Sequence, residues 1–174
     1  MANFLGDNRP GAKDRFHFNA ILHLSFLGTI CYLVGGFGWS RGVEIDPSKF
    51  EHPRAYTVIT RLAGPVANLI LAGIAGSLVS FVKILEYDPR GMLMVIGVNV
   101  ATAVYNLILL PPLAGGVLVA VLLPPGLAKA KWLFEQAGPY LIVAIILLER
   151  IRGELPFRGY LDPVVVAVFN FIKL

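Results

Sequence analysis

Several polar side chains lie inside strongly apolar runs of this 174-residue sequence, chief among them His23, Asn68, Asn99 and Asn106. An unpaired polar group in such a setting costs about 1–3 kcal/mol, so each needs a partner or a task. His23 reads as a neutral, hydrogen-bonded structural histidine; the alternative is ligation of a haem or pigment metal supplied from outside. The asparagines suit hydrogen bonds between helices, worth about 0.6–2 kcal/mol each, or together a polar-lined site. His17 and His52 fall outside the apolar runs, whereas a catalytic zinc ordinarily takes about three protein ligands. Cys31 is the single cysteine and sits in an apolar run, which excludes an intramolecular disulfide and leaves a small buried hydrophobe.

The segments that must position these groups have the composition of a membrane protein. Hydrophobic residues make up 56% of the chain and charged residues 15%, with a mean hydropathy of +0.71. Soluble domains carry about 25% charged residues. The net charge is +4, but the cations fall in short mixed clusters between apolar runs: Lys13-Asp14-Arg15, Lys129 with Lys131, and Arg150 with Arg152. Phospholipid headgroups account for that pattern. No basic stretch is interleaved with stacking aromatics, so nucleic acid is excluded as a partner.

Residues 1–17 form an extramembrane lead-in, turn-rich from Gly6 to Gly11 and without the apolar core of a cleavable signal. Apolar spans are expected near 18–39, 62–82 and 91–110. Pro111-Pro112, Gly115-Gly116 and Pro124-Pro125-Gly126 make 111–125 a broken or re-entrant segment. An amphipathic stretch at 127–136 precedes short apolar segments at 139–148 and 161–174. Between the first two spans, Val43-Glu44-Ile45-Asp46-Pro47 reads as a short interfacial strand or hairpin. The expected fold is a single all-α polytopic membrane domain over 1–174, with about three to five transmembrane or partial helices. Lys and Arg divide evenly between the two sides, so charge selects no orientation.

Local patterns carry a resemblance. They are Ala63-Gly64-Pro65-Val66-Ala67-Asn68; Tyr105-Asn106-Leu107 followed by Pro111-Pro112-Leu113-Ala114-Gly115-Gly116; and Gly38-Trp39-Ser40-Arg41 followed by Val43 to Pro47. Upstream stand Leu5-Gly6-Asp7 and Phe18-Asn19-Ala20 through His23 to Gly28. In order and spacing they resemble the site-2 protease family of intramembrane zinc metalloproteases, whose segments look like A-G-P-x-x-N, F-N-L-x-P-x-P-P-L-D-G, G-W-a-K-P-V-x-V-N-P and L-N-P-L-x-H-I-D-P-L-G. The similarity covers nearly the whole chain. It implies that Asn19, His23, Gly64, Pro65, Asn68, Asn106, Pro112 and Gly115 occupy family positions, with Asn68 and Asn106 beside the active-site region.

The departures matter equally. The resemblance implies zinc held by H-E-x-x-H and by the aspartate of L-D-G, with the glutamate as general base. No H-E-x-x-H precedes Leu5, Ala114 stands at the aspartate position, and Ala20 and Ser25 replace the proline and aspartate around His23. These departures predict a truncated, catalytically degenerate homologue that is not an enzyme, with no catalytic or metal residues and no cofactor beyond bound lipid or an external pigment. The expected role is a structural or assembly subunit of a larger membrane complex, respiratory or photosynthetic assemblies being one setting. The alternatives are a regulatory pseudoprotease and an intramembrane metalloprotease completed by another chain. A groove of Asn68, Asn99, Asn106, Gly73 and Gly76 would take a partner subunit's transmembrane helix, making other integral membrane subunits and the bilayer the expected partners. Val43 to Ile45 would offer an edge for strand addition. The expected location is a bacterial-type inner membrane or an organelle membrane.

Overall fold

A computed structural model of the chain describes residues 1–9, 20–42, 44–153 and 156–173. The described residues are helical, joined by turns, with no strand among them. Helices run over Ala20–His23 (α1), Phe26–Gly35 (α2), Pro53–Ile84 (α3), Arg90–Tyr105 (α4), Ala114–Leu122 (α5), Ala128–Arg152 (α6) and Pro156–Ile172 (α7). Short 3₁₀ turns cover Ala2–Leu5, Pro47–Lys49 and Pro125–Leu127.

Two helices, α3 with 32 residues and α6 with 25, are long and apolar enough to cross a bilayer. At about 1.5 Å per residue both exceed a hydrocarbon core of about 30 Å. The apolar helices α2 and α4 hold 10 and 16 residues, short of the roughly 20 a full crossing takes. Along α3 the side chains of Val66, Ile70, Ile74 and Phe81 are exposed, an arrangement that lipid accepts and water would penalise.

The segment expected as one span at 18–39 is divided. Ser25 takes an extended conformation and caps α2 by accepting from the Gly28 amide at 3.2 Å, which satisfies an orphan donor of the new helix. Gly36 then closes α2 with a left-handed φ of 76°. The chain returns along its own start: Leu24 forms an antiparallel bridge with Ser40, and the Arg41 amide donates to the His23 carbonyl at 2.7 Å. Gly28 and Gly38 permit that return, since a Cβ on Gly28 would strike the Trp39 backbone and one on Gly38 the Gly28 carbonyl.

The strand expected around Val43 to Pro47 is also absent from the described residues, and Val43 lies outside them. Residues 44–46 are irregular because side chains take their hydrogen bonds. The Asp46 amide donates to Asp7 Oδ2 at 2.8 Å, and the Asp46 carboxylate caps the turn at Pro47–Lys49. Conversely, the stretches 127–136 and 139–148 fuse into α6. Pro139 lies inside that helix, where it removes a single amide donor and the remaining ladder carries through.

The chain groups into two compact units, one of Met1–Ala63 with Ile108–Gly153, the other of Gly64–Leu107 with Glu154–Leu174. In the first, α2 and α5 pack on α6. There Gly35 meets Ile146, and Gly138 meets the backbone of Pro111. In the second, Ala72, Ala75, Val79, Ile96, Val100 and Val104 form a buried core against which Leu161, Val165, Phe169 and Ile172 of α7 pack.

Candidate functional site

The family-like motif at 105–116 forms an elbow between helices. α4 ends at Tyr105, with the Asn106 amide closing on the Thr102 carbonyl at 3.1 Å. Two prolines then deny the backbone its helical donors, and the Pro111-Pro112 peptide is cis. The Leu113 amide donates to the Leu110 carbonyl at 3.1 Å, after which α5 starts at Ala114. From Ile108 onward the elbow belongs to the first unit. Leu113 is 1% and Ala114 7% exposed, whereas Leu109 is 60% exposed.

Glycine makes the elbow tight. A Cβ on Gly116 would overlap Pro111 N and the Leu110 carbonyl carbon, and one on Gly138 would lie 2.8 Å from Pro111 Cβ and closer still to its carbonyl oxygen. Pro111 is therefore clasped between α5 and α6, and Gly115 is buried beside Ala114. Ala114 opens α5, where the unpaired amides favour a negative group. It supplies only a methyl, and no side chain caps the helix.

The remaining sequence-derived positions are dispersed. Asn19 lies outside the described residues. His23 ends α1 and is half-buried, with its carbonyl taken by Arg41. Pro112 is exposed. Gly64, Pro65, Asn68, Gly73, Gly76, Asn99 and Asn106 all belong to the second unit. Two of the asparagines find partners within their own helix. Asn99 donates to the Val95 carbonyl and Asn106 to the Thr102 carbonyl, both at 2.8 Å. Each is thus satisfied within α4 by the local back-bonding open to short polar side chains. Gly76 is not open either: a Cβ there would lie 2.7 Å from Ile172 Cγ2, so α7 fills that face. A Cβ on Gly64 or Gly73, by contrast, would meet no described atom within 4 Å beyond its own stretch of helix.

A second polar cluster carries more structure than its sequence signal suggested. Asp7, within Leu5-Gly6-Asp7, is 0% exposed. It accepts from Arg9 Nε at 2.8 Å, from Arg9 Nη2 at 3.2 Å and from the Asp46 amide. Arg9 also stands 3.5 Å from Glu44. The bond to Asp7 holds the Arg9 guanidinium above its ordinary pKa. The Ser48 hydroxyl and then the Ser48 amide hold the Asp46 carboxyl below its ordinary 3.8, with Arg9 adding a smaller effect. Gly6 at φ 112° permits the approach of Lys49. The family-like triplet was visible in the sequence, but the burial of its carboxylate was not. Glu149 in α6 is likewise buried without a sequence signal.

An all-helical chain with two bilayer-length helices and a proline-broken elbow defines a membrane-embedded helical protein. Its sequence is 34% identical over 162 residues to the Bacillus subtilis (strain 168) protein named "Putative zinc metalloprotease YwhC", the match covering 85% of this chain and 70% of that protein. The chain belongs to the site-2 protease family. No family model and no solved structure matches it.

This relationship corrects the expectation of a chain that is not an enzyme, because a relative so named, at this identity and coverage, points to an enzyme. The expectation rested on the absence of H-E-x-x-H before Leu5 and on Ala114 at the aspartate position. Part of the relative lies outside the match, and the point at which this sequence begins says nothing about a metal-binding helix.

Zinc is the metal the family implies. Among the described residues no group of three or more His, Cys, Asp or Glu side chains could hold a metal ion, and Ala114 has no electron pair to donate. The described side chains alone do not fit zinc, so no hydrolytic step follows from them.

Proposed function

We propose that the chain acts on peptide segments of other membrane proteins within the bilayer, as a member of the intramembrane metalloprotease family. The observation that carries this is the match to a protein named as a zinc metalloprotease over most of both chains. The elbow supports it. Its backbone is fixed by Pro111, Gly116 and Gly138, while Leu109 remains exposed beside the buried Leu113-Ala114 pair. A rigid, apolar surface at a helix break can hold an extended peptide, whose free backbone groups survive at membrane depth only against protein or water. A complete set of metal ligands for hydrolysis would need residues beyond those described. The bacterial relative supports a bacterial cytoplasmic membrane as the location.

The test is site-directed capture. A photoreactive phenylalanine analogue replacing Leu109 should cross-link a co-reconstituted membrane-spanning test peptide, and the same analogue replacing Ile84 at the end of α3 should not. Equal labelling from both positions, or none from position 109, would contradict the proposal.

A specific observation favours a further association with integral membrane subunits. Gly73 has open space around it, and Ser77, one turn on, is exposed with its hydroxyl bonded to the Gly73 carbonyl at 3.0 Å. Small residues at this spacing admit the close approach of another helix. A Gly73→Leu substitution should abolish co-purification of such a subunit while leaving helical content unchanged; retention of the subunit would remove this association.

A further inference from the structure

The first unit contains a cavity of about 350 Å³ at the end of α5 opposite the elbow's prolines. Its rim is formed by the first turns of α3 and α6, which contribute Arg54 and Lys131, and its apolar wall includes Ala120, Val121 and Leu123. Those two helices are the ones long enough to span a bilayer. Both helices start at the cavity, so a bilayer crossed by the two of them would place it near the level of the lipid headgroups.

Its charge is one-sided. No carboxylate among the described residues lines it. Arg54 has no ion pair with any described residue, and Lys131 is opposed only at 3.9 Å by Glu135, one helical turn away. The dipoles of the two helices, which start here, add to the positive potential. Thr57 also lines the space, but its hydroxyl is committed to the Pro53 carbonyl at 2.6 Å. The cations thus remain as the anion-binding groups.

We propose that this cavity binds the headgroup of an anionic glycerophospholipid, with Arg54 and Lys131 on the phosphate and the first acyl carbons against Ala120, Val121 and Leu123. A free phosphate would use the cations and leave the apolar wall in contact with water. An amphiphile uses both. The proposal is independent of peptide cleavage.

Native mass spectrometry of the full-length protein in a non-ionic detergent tests it, with phosphatidylglycerol, phosphatidylcholine and inorganic phosphate as probes. Phosphatidylglycerol should be retained about tenfold better than phosphatidylcholine. Combined Arg54→Gln and Lys131→Gln substitutions should bring the two lipids to parity, and millimolar inorganic phosphate should leave the bound lipid in place. Equal retention by the unaltered protein, a preference that survives the double substitution, or displacement by inorganic phosphate would each overturn the proposal. Should the double variant fail to fold, a photoreactive phosphatidylglycerol on the unaltered protein decides: labels within 53–57 and 120–131 support the site, and labels confined elsewhere refute it.

Discussion

The two compact units of this chain are held together by different means. In the first, helices and loops meet backbone to backbone at glycines: Gly28 and Gly38 against each other and Trp39, Gly116 against Leu110 and Pro111, Gly138 against Pro111. In the second, side chains from α4 and α7 interdigitate with the α3 face bearing Ala72, Ala75 and Val79. A side chain can relax around a lost or added methyl, and a proline backbone clasped between two helices cannot. Geometry is thereby fixed most rigidly at the elbow, where the proposed peptide contact lies, while the second unit behaves as an ordinary apolar core.

That contrast can be broken by substitution. Gly116→Ala places a methyl on top of Pro111 N and the Leu110 carbonyl carbon. It should cost at least about 4 kcal/mol and abolish the folded first unit, read as loss of the thermal transition in detergent. A variant melting near the unaltered protein would show that the elbow is plastic. In the second unit Ile96 is fully buried at the centre of the core. Ile96→Ala should cost about 2–5 kcal/mol through lost burial and the cavity left behind, with the fold retained. A loss under about 1 kcal/mol would mean that α7 collapses into the space and the core is not close-packed.

A smaller effect distinguishes the polar clip of the first unit from both. Asp46 has a lowered carboxyl pKa, so its bonds to Ser48 contribute stability at neutral pH. The contribution is lost as pH falls below the ordinary value of 3.8 and through the lowered one. The protection of the Ser48 amide, taken relative to its intrinsic exchange rate at each pH, should therefore fall only in that acid range and stay flat from pH 5 to 8. Asp46→Asn should remove the acid step, and an exchange profile with its midpoint near neutrality would assign the clip to another group.

Much of this architecture was legible in the residues. Apolar run length marked the regions of α3 and α4, and the order of Ala63 to Asn68 and of Tyr105 to Gly116 carried the family. Three features were hidden for physical reasons. A run such as 18–39 shows hydropathy but not the way Ser25 caps and Gly28 admits a returning backbone. Pro139 signals a break, yet one missing donor in a 25-residue apolar helix is cheap to absorb. Asn99 and Asn106 look like interhelical links, but the carbonyl four residues back offers each a partner that spacing alone does not reveal. The same holds for Tyr105, whose hydroxyl donates to Asp162 at 2.6 Å across 57 residues of sequence. The expectation of a non-enzyme fails for a different reason: it weighs Ala114 and the residues before Leu5 as losses, while 34% identity over 162 residues aligns the chain with a protein named as a zinc metalloprotease.

The most direct test of this account is cleavage. The full-length protein, reconstituted in liposomes with a fluorescent membrane-spanning test peptide, should release a fragment cut inside the apolar segment, and a zinc chelator should stop the release. An intact peptide after prolonged incubation, with zinc supplied and the protein shown to be folded, would contradict it.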